Sequence, residues 1–201
     1  MALARRSAQM TTKLTWDDRY RNGEHRNDAP APLVAQAIET LPPGRALDLA
    51  CGAGRHALVL AGRGWRVIAV DSSRVAIDLV RERARERCLE MDARVADLEK
   101  HEFDIQADAF DLICDCCYLQ RDLFPAMRVG VRRGGIVIAI SHLVDPSPEV
   151  KPMNPEFLLR SGELREFFAG WDILHDFEGK PVGAPHQRSV AEIVARRPFA
   201  G

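Results

Sequence analysis

The amino-acid sequence predicts an α/β protein built on a doubly wound sheet that is mostly parallel, with a C-terminal antiparallel strand pair. Three observations support this fold class. Short apolar runs of strand length alternate with helix-length segments from residue 46 to residue 140, which is typical of a parallel sheet covered on both faces. A glycine-rich turn joins the first run to the following helix. Two strand-like runs near the C-terminus are separated only by a short connection rich in glycine and proline, as in an antiparallel pair.

The individual elements follow from the apolar pattern. The N-terminal stretch with Trp16 and Tyr20 is polar overall and predicts a short helix that is not a core element. The apolar residues of Leu33–Leu41 recur at helical spacing and predict a second helix. Parallel strands are expected at Ala46–Ala50, Arg66–Val70, Ala93–Ala96, Phe110–Cys114 and Ile136–Ile140. Helices are expected between them at Gly54–Ala61, Ser73–Arg87 and Leu123–Val131. A short helix at Gly162–Phe168 precedes the last two strands, Trp171–Phe177 and Val190–Ala195.

Length and composition limit the organisation of the chain and its partners. A chain of 201 residues, of which 46% are hydrophobic, can form one domain with a substantial core. We predict an N-terminal helical cover segment at 1–31 and a single domain at 32–201. The formal net charge of -1 provides no field that attracts nucleic acid or an anionic membrane surface. This balance favours a small-molecule partner, and no feature predicts the oligomeric state.

The cysteines and the apolar runs indicate the compartment. Five cysteines are an odd number, and Cys114, Cys116 and Cys117 crowd one apolar segment, so no disulfide framework is expected. These cysteines lack the second CxxC pair, and the neighbouring histidine, that would complete a structural zinc site, so no metal site is predicted. No apolar segment follows Arg5-Arg6, and no run approaches the roughly 20 apolar residues that span a bilayer. A cytoplasmic protein is therefore expected.

A nucleotide-sized slot is predicted where the first strand of the sheet meets its first helix. The segment 48–54, Asp-Leu-Ala-Cys-Gly-Ala-Gly, ends the strand and opens the helix. Glycine has no Cβ and tolerates positive φ, so the backbone there can approach a ligand closely. Gly52, Gly54 and Ala57 also fit the dinucleotide pattern G-x-G-x-x-G/A. The glycine spacing alone therefore does not separate an NAD enzyme from other nucleotide-binding proteins.

Three aspartates at the ends of successive strands help to distinguish between the possible nucleotide cofactors. Asp71 ends the second strand, where a carboxylate can accept hydrogen bonds from a ribose diol, although beside Ser72 it can instead cap the next helix. Asp97 ends the third strand and can accept a hydrogen bond from an adenine amino group while Leu98 covers the ring. Asp48 can orient the glycine turn and face an ammonium group, whereas it would repel a pyrophosphate. The set favours S-adenosylmethionine over a dinucleotide.

Through the glycine turn and these aspartates, the sequence resembles the class I S-adenosylmethionine-dependent methyltransferases. The resemblance covers about two thirds of the chain, in LDLACGAGRHALVLAGRGWRVIAVD at 47–71, VADLE at 95–99, FDLICDCCYL at 110–119 and RRGGIVIAIS at 132–141. The chain departs from the family motif DxGxGxG by having Ala50 at the first glycine position. Within the superfamily it is similar to the tellurite-resistance and thiopurine methyltransferase group, through WDDRY at 16–20, GEL at 162–164 and WDIL at 171–174.

This resemblance implies a Rossmann-like sheet and S-adenosyl-L-methionine as cofactor, with S-adenosyl-L-homocysteine as product. It also implies methyl transfer to a soft nucleophile, such as a thiol, selenium or tellurium species. The resemblance places the cofactor on Gly52, Gly54, Asp71, Asp97 and Leu98. Arg55 is a candidate partner for the cofactor's carboxylate. The complete set of candidate cofactor-binding residues adds Tyr20, Asp48, Ala50, Arg55, Ser72, Cys114 and Asp115.

Methyl transfer from a sulfonium is a direct displacement. It mainly requires donor and acceptor to be aligned about 3 to 3.5 Å apart with water excluded. The first candidates for catalysis are His186 and Arg188, before the last strand, because histidine titrates near neutral pH and arginine can hold an anionic acceptor. Both can equally be ordinary surface residues. His142, directly after the fifth parallel strand, is a third candidate. An NAD-dependent oxidoreductase and a non-catalytic nucleotide-binding protein remain alternatives.

Overall fold

The computed structural model describes residues 14–24, 29–181 and 187–199, which form a seven-stranded sheet with helices on both faces. The strands are β1 (Arg45–Leu49), β2 (Arg66–Asp71), β3 (Asp92–Val95), β4 (Phe110–Cys116), β5 (Val131–His142), β6 (Asp172–Gly179) and β7 (Val190–Arg196). The helices are α1 (Trp16–Arg21), α2 (Pro32–Ala37), α3 (Arg55–Gly62), α4 (Arg74–Glu86), α5 (Leu123–Gly130) and α6 (Glu163–Glu166). None of the helices in these ranges is long and apolar enough to cross a membrane.

The strand order of the sheet is β3-β2-β1-β4-β5-β7-β6. The pairs β1–β2, β2–β3, β1–β4 and β4–β5 are parallel, whereas β7 lies antiparallel between β5 and β6. This arrangement confirms the predicted doubly wound, mostly parallel sheet with its C-terminal antiparallel pair. Because the chain moves outward from β1 in one direction and from β4 in the other, a crevice is expected between β1 and β4 at their carboxyl ends.

Some element boundaries differ from the prediction. β5 begins at Val131 rather than at Ile136, since Val131 already pairs with Phe110 before an irregularity in the ladder. Gly134 has a φ of 76° within this irregular stretch. Helix α2 ends at Ala37, earlier than the helical spacing suggested, and α6 has only four residues. Apolar periodicity therefore located the elements better than it located their ends.

Apolar side chains cover both faces of the sheet in two clusters. Leu47 and Leu49 of β1 belong to the cluster under α5 and α6, and Ala46 belongs to the cluster that packs against α2, α3 and α4. Because side chains alternate across a strand, Asp48 lies on the α3 face. In β4, Cys114 and Cys116 belong to the cluster on the α3 side. Asp115 lies between them, so the same alternation puts its side chain on the α5 face. The two carboxyl groups thus flank the centre of the sheet from opposite faces.

The N-terminal helix α1 is tied to the rest of the fold. Thr15 and Asp18 form a capping box at its start. Asp17 accepts a hydrogen bond of 2.5 Å from Oγ of Ser73, the N-cap residue of α4. Tyr20 is only 6% exposed. The expectation that this stretch is not a core element was therefore wrong for Tyr20, because docking of α1 on α4 buries its ring.

Candidate active site

The glycine turn after β1 has a left-handed backbone at alternate residues. Ala50, Gly52 and Gly54 have φ values of 47°, 55° and 83°. A Cβ at Gly52 would lie 2.5 Å from Tyr20 Oη, and a Cβ at Gly54 would lie 2.8 Å from Val80 Cγ2. Both positions therefore require glycine. Ala50, which departs from the family motif, adopts a conformation that costs a residue with a Cβ about 1 to 2 kcal/mol.

Asp71, at the end of β2, holds this turn from the side. Its Oδ2 accepts a hydrogen bond of 2.8 Å from the backbone N–H of Gly52, and its Oδ1 accepts one of 2.8 Å from that of Ser73. Burial raises the pKa of Asp71, while these two hydrogen bonds oppose the shift. Each carboxylate oxygen has a second lone pair that can accept from a hydroxyl. Ser73, rather than the exposed Ser72, makes the local hydrogen bonds.

Asp48 lies beneath the turn on the α3 side of the sheet. Its Oδ2 accepts a hydrogen bond of 3.0 Å from the backbone N–H of Ala57, and the residue is 1% exposed. Burial raises the pKa of Asp48 to about 7, although the Ala57 N–H and the Arg55 guanidinium oppose the shift. Asp48 therefore holds the first turn of α3, and its charge is sensitive to a cation in the crevice.

Tyr20 and Arg55 lie on two sides of the crevice. Tyr20 Oη stands over Gly52, and burial, together with the charge of Asp71, raises the pKa of its hydroxyl. Arg55 is the first residue of α3, and its Nη2 lies 3.9 Å from Sγ of Cys117, directly after β4. The guanidinium thus bridges the gap between the turn after β1 and the end of β4.

Asp97 and Leu98 follow β3. Asp97 Oδ1 accepts a hydrogen bond of 3.0 Å from the Glu99 N–H, and Oδ2 lies 2.7 Å from Lys100 Nζ. The hydrogen bond from Lys100 holds the pKa of Asp97 below its usual range. Leu98 is buried, and its carbonyl accepts a hydrogen bond of 3.1 Å from Gln120 Nε2. The segment after β3 is therefore fixed to the loop after β4.

Asp115 is a buried carboxyl group without a hydrogen-bond partner in the part of the chain that the structure describes. It is in register with Leu49 of β1 and Ala139 of β5. It is fully buried, and neither carboxyl oxygen has a hydrogen-bond partner among the described residues. Burial, with the charge of Asp48, raises its pKa well above the usual range. Cys114, a candidate cofactor residue, is fully buried in the apolar cluster on the other face, so its side chain is not brought to the crevice.

The catalytic candidates lie where β5 ends and β7 begins. His142 ends β5, and its Nδ1 is buried without a hydrogen-bond partner in the described ranges. Burial and the charge of Arg188 lower the pKa of His142, so its imidazole is neutral near pH 7. Arg188 is buried and donates a hydrogen bond to the carbonyl of Lys151. The structure brings these two candidates together, while His186 lies outside the described residues.

Comparison with known proteins assigns the family. The family model described as "Tellurite resistance protein TehB" matches residues 16–191, which is most of the chain. The chain belongs to the TehB family. Hemagglutinin 1 of Eikenella corrodens is 26% identical over 194 residues, covering 89% of this chain and 63% of that protein. The probable S-adenosyl-L-methionine-dependent methyltransferase TehB of Haemophilus influenzae is 27% identical over 154 residues, covering 70% of this chain and 50% of that protein.

This TehB-family chain thus spans about half to two thirds of the length of these curated relatives. Among solved structures, the crystal structure of TehB from Haemophilus influenzae has a TM-score of 0.73 at 22% identity. The match covers 90% of this chain and 67% of that chain. A likeness at this identity shows the fold, and it confirms the predicted Rossmann-like sheet.

His56 is a residue of this TehB-family site that sequence reasoning missed. It is buried on the first turn of α3, beside Asp48. The available signal was its helical position, since His56 shares a face with Leu60, four residues later, and that face is apolar. An imidazole on an apolar stripe is expected to have a specific partner, because burying it without one is unfavourable.

Proposed function

We propose that this chain is an S-adenosyl-L-methionine-dependent methyltransferase that acts on a small-molecule acceptor. The observation that carries the proposal is a set of four aspartates, one within two residues of the carboxyl end of each of β1 to β4: Asp48, Asp71, Asp97 and Asp115. S-adenosylmethionine brings a sulfonium and an ammonium group to such a site, whereas a dinucleotide brings a pyrophosphate that carboxylates repel. The name of the Haemophilus influenzae relative supports the same activity.

The side chains around the crevice fit the parts of this cofactor. Tyr20 and Val80 fill the space that a Cβ would need at Gly52 and Gly54, so both residues keep the turn free of side chains, and we propose that the cofactor lies along this turn. We assign the ribose to Asp71, the adenine to Asp97 and Leu98, the ammonium to Asp48 and Asp115, and the carboxylate to Arg55. Tyr20 covers the turn, and Ala50 and Ser72 line the site through their backbone. Asp71 suits its role because each of its oxygens has a second lone pair.

The acceptor is proposed to be a soft nucleophile, such as a thiolate, or an anionic selenium or tellurium species. Arg188 offers a positive charge beside His142, which favours an anion at the end of β5. His186 keeps the acceptor-binding role predicted from its sequence position. When bound, S-adenosylmethionine would supply an electrophilic methyl group for transfer to the acceptor's lone pair and would leave as S-adenosylhomocysteine. An acceptor that is already anionic needs alignment and exclusion of water rather than a strong base.

Calorimetric titration with S-adenosylhomocysteine tests the cofactor assignment. The wild type should bind, and Asp71→Asn should bind about 10-fold more weakly, because the amide replaces one acceptor oxygen with a donor. Asp78→Asn is the matched control, since this carboxylate lies on the surface of α4 and pairs with Arg81. The Asp78→Asn variant should bind S-adenosylhomocysteine with the affinity of the wild type. Absence of binding by the wild type, with binding of NADH instead, contradicts the proposal.

A panel of acceptors tests the finer assignment. Methyl transfer from labelled donor is measured with a thiol, selenite, tellurite and an amine. Product from the soft acceptors supports the proposal, and Arg188→Gln should then raise KM more than it lowers kcat. Product from the amine alone contradicts a soft acceptor. Binding of S-adenosylhomocysteine without any methylated product in the panel indicates a non-catalytic nucleotide-binding protein.

A further inference from the structure

His56 is a buried histidine between the N-terminal segment and the crevice. Its Nε2 accepts a hydrogen bond of 3.2 Å from the backbone N–H of Ala31, the residue before α2. Its Nδ1 lies 4.0 Å from Oδ1 of Asp48. The described residues supply no hydrogen bond to this Oδ1, which is fully buried. The imidazole therefore connects the start of α2 with a carboxyl group under the glycine turn.

The hydrogen bond from Ala31 determines the tautomer of His56. A neutral imidazole has one protonated nitrogen and one nitrogen with a lone pair. Because Nε2 presents its lone pair to the Ala31 N–H, the proton must be on Nδ1, the nitrogen nearer Asp48. Burial and the charge of Arg55 lower the pKa of His56 to about 3, so the doubly protonated form is not populated at neutral pH.

We infer that His56 is a positioning residue that carries its proton on Nδ1, favours the ionised form of Asp48, and couples the docking of the segment before α2 to the charge of the crevice. The consequence for ligand binding rests on the proposed function, because His56 acts through Asp48. A buried carboxylate oxygen that faces an N–H donor is more easily ionised than one that faces none.

The other groups around Asp48 do not replace this donor. Arg55 favours the ionised carboxylate electrostatically, but its guanidinium forms no hydrogen bond with Oδ1. Asp71 disfavours the ionised carboxylate, being of like charge. Among the described residues, Cys51, Cys114, Cys116 and Asp115 also interact with Asp48, and none of them has an N–H in its side chain. The Nδ1–H of His56, 4.0 Å from Oδ1, is too far away for a direct hydrogen bond, and we infer that it acts on this oxygen as a nearby neutral dipole.

Nitrogen NMR of the wild-type protein tests the tautomer directly. Long-range ¹H–¹⁵N correlation at pH 6 to 8 should show Nδ1 of His56 with a protonated-type shift and Nε2 with an unprotonated-type shift. The His56→Gln spectrum identifies the signal by its loss. The opposite tautomer, or fast averaging of the two, overturns the inference. The measurement needs no cofactor, so its failure is distinguishable from failure of S-adenosylhomocysteine to bind.

Two variants separate the contacts of His56. His56→Asn can keep an N–H donor near the position of Nδ1, and His56→Gln can keep an acceptor near the position of Nε2. We expect His56→Asn to keep the pH dependence of S-adenosylhomocysteine affinity. His56→Gln should raise the midpoint of that dependence. A rise from about 7 to about 8 weakens binding about 5-fold at pH 7 and leaves it unchanged well above pH 9. An equal loss at every pH, with the wild-type midpoint, indicates a merely structural role and overturns the inference.

Discussion

Binding of the proposed cofactor should release a proton near neutral pH, because Asp48 is buried and its pKa is raised to about 7. A cation in the crevice favours the ionised carboxylate, so the bound state has the lower pKa of the two. Protons therefore leave on binding, and the affinity falls as the pH falls through about 7. Lowering the pH from 8 to 6 is the perturbation that exposes this coupling.

The size of the effect follows from the ionised fraction of Asp48 in the free protein. With a pKa of about 7, that fraction falls from about 0.9 at pH 8 to about 0.1 at pH 6. If the bound state stays ionised, the affinity at pH 6 is about 10-fold weaker than at pH 8, or about 1.4 kcal/mol. Burial also raises the pKa of Asp71 and of Asp115, and ionisation of either on binding steepens the dependence in the same direction.

Calorimetry at pH 6, 7 and 8 measures both the affinity and the protons released. S-adenosylhomocysteine is a suitable ligand because it retains the ammonium group. Titrations in two buffers of different ionisation enthalpy should give about 0.9 proton released at pH 6. Asp48→Asn is the control, since its amide oxygen can still accept from Ala57, and it should lose this pH dependence. A wild-type affinity that is constant from pH 6 to 8, without proton release, refutes the reasoning.

Three further predictions concern stability. Gly54→Ala should lower the free energy of unfolding by about 2 to 4 kcal/mol, because its φ is 83° and a Cβ would lie 2.8 Å from a side chain. Gly162 has a similar φ of 79° but open space around an added Cβ, so Gly162→Ala should lower the free energy of unfolding by only about 1 to 2 kcal/mol. Urea unfolding measures both losses, and equal values for the two variants contradict the steric argument. Arg121→Met should lose about 1 to 2 kcal/mol, because it removes hydrogen bonds of 2.6 and 3.2 Å from buried Glu163 while Arg121 itself is partly exposed. Adding Glu163→Gln should restore part of the loss, whereas additive losses show no coupling. Ser73→Ala removes the N-cap of α4 and should lower stability by about 1 kcal/mol, seen as a lower Tm; an unchanged Tm contradicts a stabilising cap.

The sheet was predictable because its strands are short, continuous apolar runs that alternate with helical segments. Parallel strands buried on both faces have this pattern, so β1, β2, β4 and β5 were located from apolar residues alone. Locating the strands in this way also put Asp71 and Asp97 at the carboxyl ends of their strands, where ligands bind in this class of fold. Local sequence was sufficient for these features.

Features of the site that depend on distant contacts were not predictable in this way. Ala31 and His56 are 25 residues apart, and their hydrogen bond exists only once α2 and α3 pack together. Burial of Tyr20 likewise depends on α1 docking on α4. Asp115 was a candidate because it ends an apolar run. That its carboxyl group has no hydrogen-bond partner among the described residues depends on the packing of the strands beside it, which the local sequence does not show.

The place of β7 in the sheet bears on how the protein is made. Among the described strands, β6 pairs with β7 alone, so β6 has no strand partner until residues 190–196 have been synthesised. Until then β5 is also an open edge, with unpaired backbone groups along Ile136–His142. Open edges of this kind pair readily with other chains. Synthesis of β7, rather than formation of the central parallel sheet, therefore marks the point at which the β5 edge is covered and the open edge moves to β6.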